Sequence, residues 1–380
     1  MRRELSRSIY FMKVVFVSYN NQSGYSTPEA WLERVKTFAA LMEALATHCE
    51  VAYIKQINYE GSISRNAVKY IFLRSAYRKP FFPGRINNSV EQLNPDVVIV
   101  SGLLSPLQII QLRWKLGKKV QIIGRHHGDR PPTGFRRVLQ RRADRCLNAY
   151  LFTSMGNASE WIDAGMIQRE KKIYELIEAS TELSRRDRSH SLQSTGMNGK
   201  PNFLWVGRLN ANKDPLTVLK GFEKYLSTEP TAKLYMIFGE DDLLKDVGEF
   251  IEQSPALSKA VALNGFIPND QLSTWYSAAD FYITGSHSEG GSYALIEAMA
   301  CGCIPIVTAI PAALKMIGDG EYGIVFQPGN ADELAKKFSE LSLIDTKALS
   351  SSVENYFKKE LSTEAIAAKL YGYCVDLLAK

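Results

Sequence analysis

The chain of 380 residues has no stretch apolar enough, over the roughly 18 residues required, to serve as a membrane-spanning helix. Cysteine is scarce: Cys49, Cys146, Cys301, Cys303 and Cys374 are odd in number and form no disulfide framework, which fits a reducing compartment. Cys301-Gly302-Cys303 lacks the second pair that would complete four zinc ligands, so no metal is expected and these residues read as small and buried. No Gly-x-Gly-x-x-Gly follows the first strand candidate, which argues against a nicotinamide-dependent dehydrogenase. Nucleic acid is not expected as a partner, since no recognised binding motif is present. The start Met1-Arg2-Arg3-Glu4-Leu5 is basic, but only a very short apolar run precedes Lys13. No secretory signal is expected, and the expected location is cytoplasmic.

What is present is a regular alternation of strand and helix signals, the pattern of parallel sheets flanked by helices. Strand candidates in the first half are 14–19, 51–54, 96–100, 120–124 and 150–154. A second series falls at 203–206, 233–238, 261–263, 281–284, 304–307 and 323–326. The polar run 181–200, rich in serine and arginine, reads as a linker. A chain of this length suits two domains. The expected fold class is therefore α/β, with two Rossmann-like domains facing across a cleft. The domains are expected at 1–180 and 201–360, with 361–380 as a terminal helix. Ligands in such sheets bind beyond the carboxyl ends of the strands.

Two constellations lie at such ends. In Ser286-His287-Ser288-Glu289-Gly290-Gly291-Ser292-Tyr293, a strand gives way through small residues to a helix, with Glu297 about one turn in. Ser292 stands at the N-cap, and the first-turn amides of such a helix lack intrahelical partners and attract anions. Gly290 and Gly291 let a phosphate or sugar approach the backbone closely. Glu289 would face the sugar and Glu297 the ribose of one ligand. Taken alone, both glutamates could be ordinary surface carboxylates. Upstream, Phe203-Leu204-Trp205-Val206-Gly207 reads as a buried strand that breaks at glycine, and Arg208 and Lys213 fall in the turn before a helix near Pro215. A planar guanidinium and a compact ammonium beside a strand end are suited to neutralising a diphosphate. Together the two constellations read as a nucleotide-sugar site.

The Gly207-Arg208 to Lys213 turn, Glu289 and Glu297 with seven residues between them, and Ala298-Met299-Ala300-Cys301-Gly302 with Pro305 resemble the GT-B retaining glycosyltransferases of family four. The likeness is most specific over residues 201–340. It implies a GT-B fold, with an acceptor domain first, a donor domain second, and the terminal helix returning to the first domain. It also implies a metal-independent enzyme that uses a nucleoside-diphosphate sugar as co-substrate and has no other cofactor. By resemblance Arg208 and Lys213 bind the donor diphosphate, Glu289 contacts the donor sugar and Glu297 the ribose. The amides of Gly291, Ser292 and Tyr293 meet phosphate or sugar oxygens. Many members read Glu-Gly-Phe-Gly where this chain has Glu289-Gly290-Gly291-Ser292, which leaves the donor's identity open.

In the first half, Asn20-Asn21-Gln22-Ser23-Gly24-Tyr25-Ser26 takes the position of the family's glycine-rich loop, with Gly24 alone retained. Arg125-His126-His127-Gly128-Asp129 takes the position where members carry a histidine near the donor sugar. His127 is the better match and His126 the runner-up; either could orient a sugar hydroxyl. The resemblance leaves the acceptor open among glycan, lipid-linked and small-molecule classes, and cell-surface polysaccharide or glycolipid synthesis is the expected setting. Net charge is +6. Arg74, Arg78, Lys79 and Arg85 among Tyr77, Phe81 and Phe82, followed by Arg136, Arg137, Arg141, Arg142 and Arg145, suit peripheral contact with an anionic inner membrane face. A solvated helix face is the alternative for these groups. A non-catalytic nucleotide-sugar sensor or scaffold is the alternative for the whole.

Overall fold

The computed structural model describes residues 12–74, 84–178 and 180–379. Of the basic and aromatic cluster, Arg78, Lys79, Tyr77, Phe81 and Phe82 lie outside the described residues, as does the basic start Met1–Leu5. The described residues divide into two compact units, one reaching to 178 and including 363–379, the other spanning 180–362.

The first unit is built on β1 (Lys13–Gln22), β2 (Glu50–Ile57), β3 (Gly61–Arg65), β4 (Val68–Arg74), β5 (Val97–Ser101), β6 (Gln121–Arg125), β7 (Ala149–Phe152) and β8 (Lys172–Glu175). They form one sheet in the order β3-β4-β2-β1-β5-β6-β7-β8, in which only the β3–β4 pair is antiparallel. In β1 the residues Val14, Val15, Phe16 and Val17 have no exposed surface. Successive strand side chains point to opposite faces, so both faces of this sheet are covered and its central strands read as unbroken apolar runs. Gly124 in β6 is fixed by packing, since a Cβ there would come within 2.8 Å of Leu103 and 2.9 Å of Leu147.

The second unit is built on β9 (Asn202–Gly207), β10 (Lys233–Phe238), β11 (Val261–Gly265), β12 (Phe281–Ile283), β13 (Ile304–Thr308) and β14 (Ile324–Phe326). Their order is β11-β10-β9-β12-β13-β14, parallel throughout. Its core sets Phe203 against Phe222, Phe281 and Phe338, with ring centroids 5.0 to 5.5 Å apart. The chain builds outward from β9 in one direction, then returns to β12 and builds in the other. The loops leaving β9 and β12 therefore emerge side by side at a topological switch point, where open α/β sheets bind ligands.

Residues 181–200 depart from the expected linker. They contain the helix Arg188–Thr195, whose N-cap Asp187 accepts from the His190 amide at 2.8 Å and which ends at Gly196 with φ 70°. Arg188 bonds Asp280 at 2.6 Å, and Ser191 is fully buried. The polar composition that suggested a linker is used for capping and ion pairing within the second unit. The last helix, Thr363–Leu378, belongs to the first unit. Its Tyr373 stacks on Tyr174 at 4.4 Å, Asp376 accepts from the Tyr174 hydroxyl at 2.6 Å, and Tyr371 stacks on His48 at 5.2 Å.

Candidate functional site

The loops after β9 and β12 are fastened to each other by their backbones. The His287 amide donates to the Asn212 carbonyl at 2.8 Å, and the Asn212 side chain donates to the Ser288 carbonyl at 3.0 Å. Gly285 permits the approach, because a Cβ there would lie 2.6 Å from the Asp214 carbonyl oxygen. Asp214 has φ 41°, in the left-handed region, and its carboxylate caps the helix Pro215–Leu226 by accepting from the Thr217 amide at 3.1 Å. The same carboxylate meets His287 Nε2 at 2.9 Å.

This arrangement brings Lys213 onto Glu289 as an ion pair, both side chains 13% exposed. Ser286 Oγ also donates to Glu289 at 2.8 Å, Thr284 lies 2.9 Å from Ser286 Oγ, and Thr308 of β13 donates to the Ser286 carbonyl at 2.5 Å. A carboxylate held by an ammonium and a hydroxyl is fixed in place before any ligand arrives. Arg208 stands apart from this pair: it is 58% exposed and forms an ion pair with Glu240 at 3.6 Å.

Glu297, one turn into the helix Tyr293–Ala300, is buried, with Asn269 donating at 2.8 Å and the Tyr276 hydroxyl at 3.1 Å. Burial, reinforced by the Glu297 charge, pushes the Tyr276 phenol well above its ordinary pKa, so it stays protonated and donates. Ser292 occupies the N-cap with extended backbone, but contrary to expectation its side chain makes no capping bond; the hydroxyl is buried toward Tyr282. Tyr293 is 47% exposed. A Cβ on Gly291 would meet nothing closer than Met316 Cε at 3.6 Å, so the protein's own packing does not demand glycine there.

In the first unit, Gly24 is exposed in the turn between β1 and the helix Pro28–Arg34, and a Cβ there would meet nothing within 4 Å. His126 is buried against Phe152 at 4.6 Å and edge-on to Trp161 at 5.8 Å. Its Nε2 lies 2.8 Å from the Asp129 carbonyl and its Nδ1 accepts from the Gly128 amide at 3.3 Å. Burial lowers its pKa, and these bonds match a neutral ring protonated at Nε2. His127 is half-exposed, with Nδ1 3.1 Å from Glu178 Oε1. Burial alone would raise the Glu178 pKa, but His127, Arg125 and His126 together hold it below the usual carboxylate range. Arg125 is itself buried over the Phe38 ring and donates to the Glu178 carbonyl. Lys55, also buried, donates to Ser18 at 3.1 Å and to the Asn20 carbonyl at 2.8 Å, and burial lowers its pKa to about 8.

A family model described as glycosyl transferases group 1 matches residues 187–359, nearly all of the second unit. The second unit is thus similar to the group 1 glycosyl transferases. Mannosylfructose-phosphate synthase of Agrobacterium fabrum is 28% identical over 148 residues, covering 37% of this chain and 32% of that protein. The chain spans between 32% and 40% of the length of the curated relatives it matches first. A glycosyltransferase from Rickettsia africae superposes with a TM-score of 0.75 at 15% identity, covering 97% of this chain and 99% of the other. Anabaena Alr3699/HepE in complex with UDP superposes with a TM-score of 0.70 at 15% identity, covering 96% and 100%. The fold is thus GT-B, with two Rossmann-like units.

Within the second unit, sequence reasoning did not find Ser286, Thr284 and Thr308 as supports of Glu289, nor Asn269 and Tyr276 as supports of Glu297. Ser286 stands three residues from Glu289, a spacing that could have drawn attention. Asn269 and Tyr276 sit on the helix Asn269–Ala278 and reach Glu297 through the fold, so no local pattern marks them. Among the described residues no group of three or more His, Cys, Asp or Glu could hold a metal ion, and no helix is long and apolar enough to cross a membrane.

Proposed function

We propose that this chain is a glycosyltransferase that moves a sugar from a nucleoside-diphosphate sugar to a glycan, lipid-linked or small-molecule acceptor with retention of configuration, in cell-surface polysaccharide or glycolipid synthesis. The observation that carries the reading is the Lys213–Glu289 pair, held by Ser286 at the switch point of a group 1 glycosyl transferase unit, with buried Glu297 on the following helix. The fold shared with a chain solved in complex with UDP supports the same reading.

The chemistry follows from charge. Breaking the bond between the anomeric carbon and the diphosphate puts negative charge on the leaving group and positive character on the ring. Arg208, Lys213 and the first amides of the helix Tyr293–Ala300 stabilise the leaving phosphate, which is preorganised electrostatic catalysis. The departing diphosphate takes the acceptor hydroxyl's proton as the acceptor oxygen bonds the carbon on the same face. Glu289 accepts hydroxyls of the donor sugar and Glu297 those of the ribose, with the remaining carboxylate lone pairs available beside their protein partners. His127, and Gly24 in the loop after β1, are the donor residues that the resemblance assigns to the first unit.

The test is incubation with a panel of nucleotide sugars, monitoring release of free nucleoside diphosphate. Slow release with one donor, accelerated by an acceptor, is expected. Tight donor binding with no release over many hours would identify a sensor and overturn the reading.

A further inference from the structure

The connections that follow β5 and β6 enclose a cavity of about 830 Å³ in the first unit, at the carboxyl ends of two parallel strands. That volume lies within the range of small-molecule sites, about 300–1,000 Å³. Its wall includes Gln140 of the helix Arg136–Asp144, 1% exposed, with neither Nε2 nor Oε1 bonded to any partner among the described residues. The next inward polar residue of that helix, Asp144, is satisfied by the Tyr150 hydroxyl at 2.7 Å. A buried carboxamide with both ends orphaned is rare in native proteins, and it offers a donor and an acceptor to whatever fills the space.

Two guanidinium groups line the same cavity. Arg130 and Arg136 are exposed and have no hydrogen bond or ion pair among the described residues, whereas Arg137 and Arg141 are bonded at 2.9 Å to the Ala164 and Gly165 carbonyls. At the mouth stand Leu104, 51% exposed, and Phe135, 78% exposed. Arginines suit a phosphate ester, the carboxamide suits hydroxyls, and an exposed apolar rim beside cations suits a chain emerging from a membrane surface. A free sugar phosphate would leave the rim uncovered, and a neutral amphiphile would leave the arginines without a partner.

We infer that this cavity binds the head group of an anionic amphiphile, a phosphate ester that carries hydroxyls and an apolar chain, presented from a membrane as the acceptor; its role as acceptor rests on the function proposed above, its binding does not. The test is calorimetric titration of the full chain with octanoyl lysophosphatidylglycerol below its micelle concentration, alongside glycerol 3-phosphate, which lacks the chain, and monooctanoylglycerol, which lacks the phosphate. The lysophospholipid is expected to bind at least about tenfold more tightly than either control, and Arg136→Gln to weaken it by at least about tenfold. Gln140→Leu is expected to weaken it similarly while leaving the thermal midpoint unchanged or raised, because no orphaned polar atom remains; a merely structural glutamine would lower the midpoint. Equal binding of either control, no binding of the lysophospholipid, or wild-type binding by either variant overturns the inference. Nucleotide-sugar hydrolysis measured in parallel separates the two readings. Hydrolysis without lysophospholipid binding sinks the cavity assignment alone, and binding without hydrolysis sinks glycosyl transfer alone.

Discussion

The two sheets share an architecture and differ in how they treat polar groups at their ligand-binding ends. In the second unit nearly every functional side chain has a partner: Glu289 has Lys213 and Ser286, Glu297 has Asn269 and Tyr276, and Asp214 has Thr217 and His287. In the first, His126, His127 and Lys55 are likewise held, but at the cavity, among the described residues, Gln140 is orphaned and Arg130 and Arg136 are unpartnered. Satisfied networks fix geometry in advance, while unsatisfied ones leave a demand for a ligand to meet. The family model falls on the unit whose site is already assembled.

The comparison breaks most visibly at Arg208. Arg208→Ala should lower kcat/KM about 10²–10³-fold, the loss typical of one charge-stabilising group, without moving the thermal midpoint, since the side chain is exposed. Glu289→Ala should abolish transfer. Near-wild-type turnover by folded Arg208→Ala would show that the leaving diphosphate is stabilised elsewhere.

Glycine substitutions sharpen the contrast between packing and ligand access within the second unit. Gly285→Ala drives a methyl into the Asp214 carbonyl and should cost about 1–3 kcal/mol, read as a lowered urea midpoint. Gly291→Ala should leave the midpoint in place and weaken nucleotide-sugar binding. Equal stability of the two variants would contradict the close approach of the loops.

In the first unit, Lys55 has a folded pKa of about 8 against the ordinary 10.5. Below pH 8 both states bind the proton and the cost of burying the charge is fully present; it is relieved as pH rises from 8 to 10.5. Lys55→Met should therefore stabilise by about 1–2 kcal/mol at pH 7, after losing the two hydrogen bonds, and the gain should shrink by pH 10 in urea titrations. A gain that persists at pH 10 would mean the lysine is not a buried charge. The smallest effect concerns His126, whose folded pKa is lowered by burial from 6.5. The unfolded chain takes up its proton first as pH falls through 6.5, so this ring's contribution to stability is lost below that point. His126→Phe keeps the stack on Phe152 and should flatten that acid limb in thermal melts at pH 7 and pH 5.5.

Much of this was legible because parallel strands buried on both faces are continuous apolar runs, as in Val97–Val100 or Ile304–Val307. The β3–β4 hairpin was not, because its turn is Asn66-Ala67, with φ of 45° and 65°, and alanine hides a left-handed position that glycine would have announced. The short β8 was missed because Lys-Ile-Tyr-Glu carries too little pattern. Arg208, Lys213, Glu289 and Glu297 could be singled out as candidates because each pair belongs to one local turn. Asn269, Tyr276 and Thr308 could not, since only tertiary contact brings them to Glu297 and Ser286.

In the proposed function the Lys213–Glu289 pair would also act as a filter. The ammonium is already matched by a carboxylate, so a bare phosphate anion would have to compete with Glu289 and leave that carboxylate half-buried with one partner fewer. A ligand that brings a diphosphate for the lysine and sugar hydroxyls for the glutamate replaces both halves of the pair at once. Discrimination then comes from the site's reluctance to be half-filled, because a stranded buried polar group costs more than a good contact returns. Free phosphate, present in any cell alongside the donor, would on this account be disfavoured by the side chain proposed for the sugar.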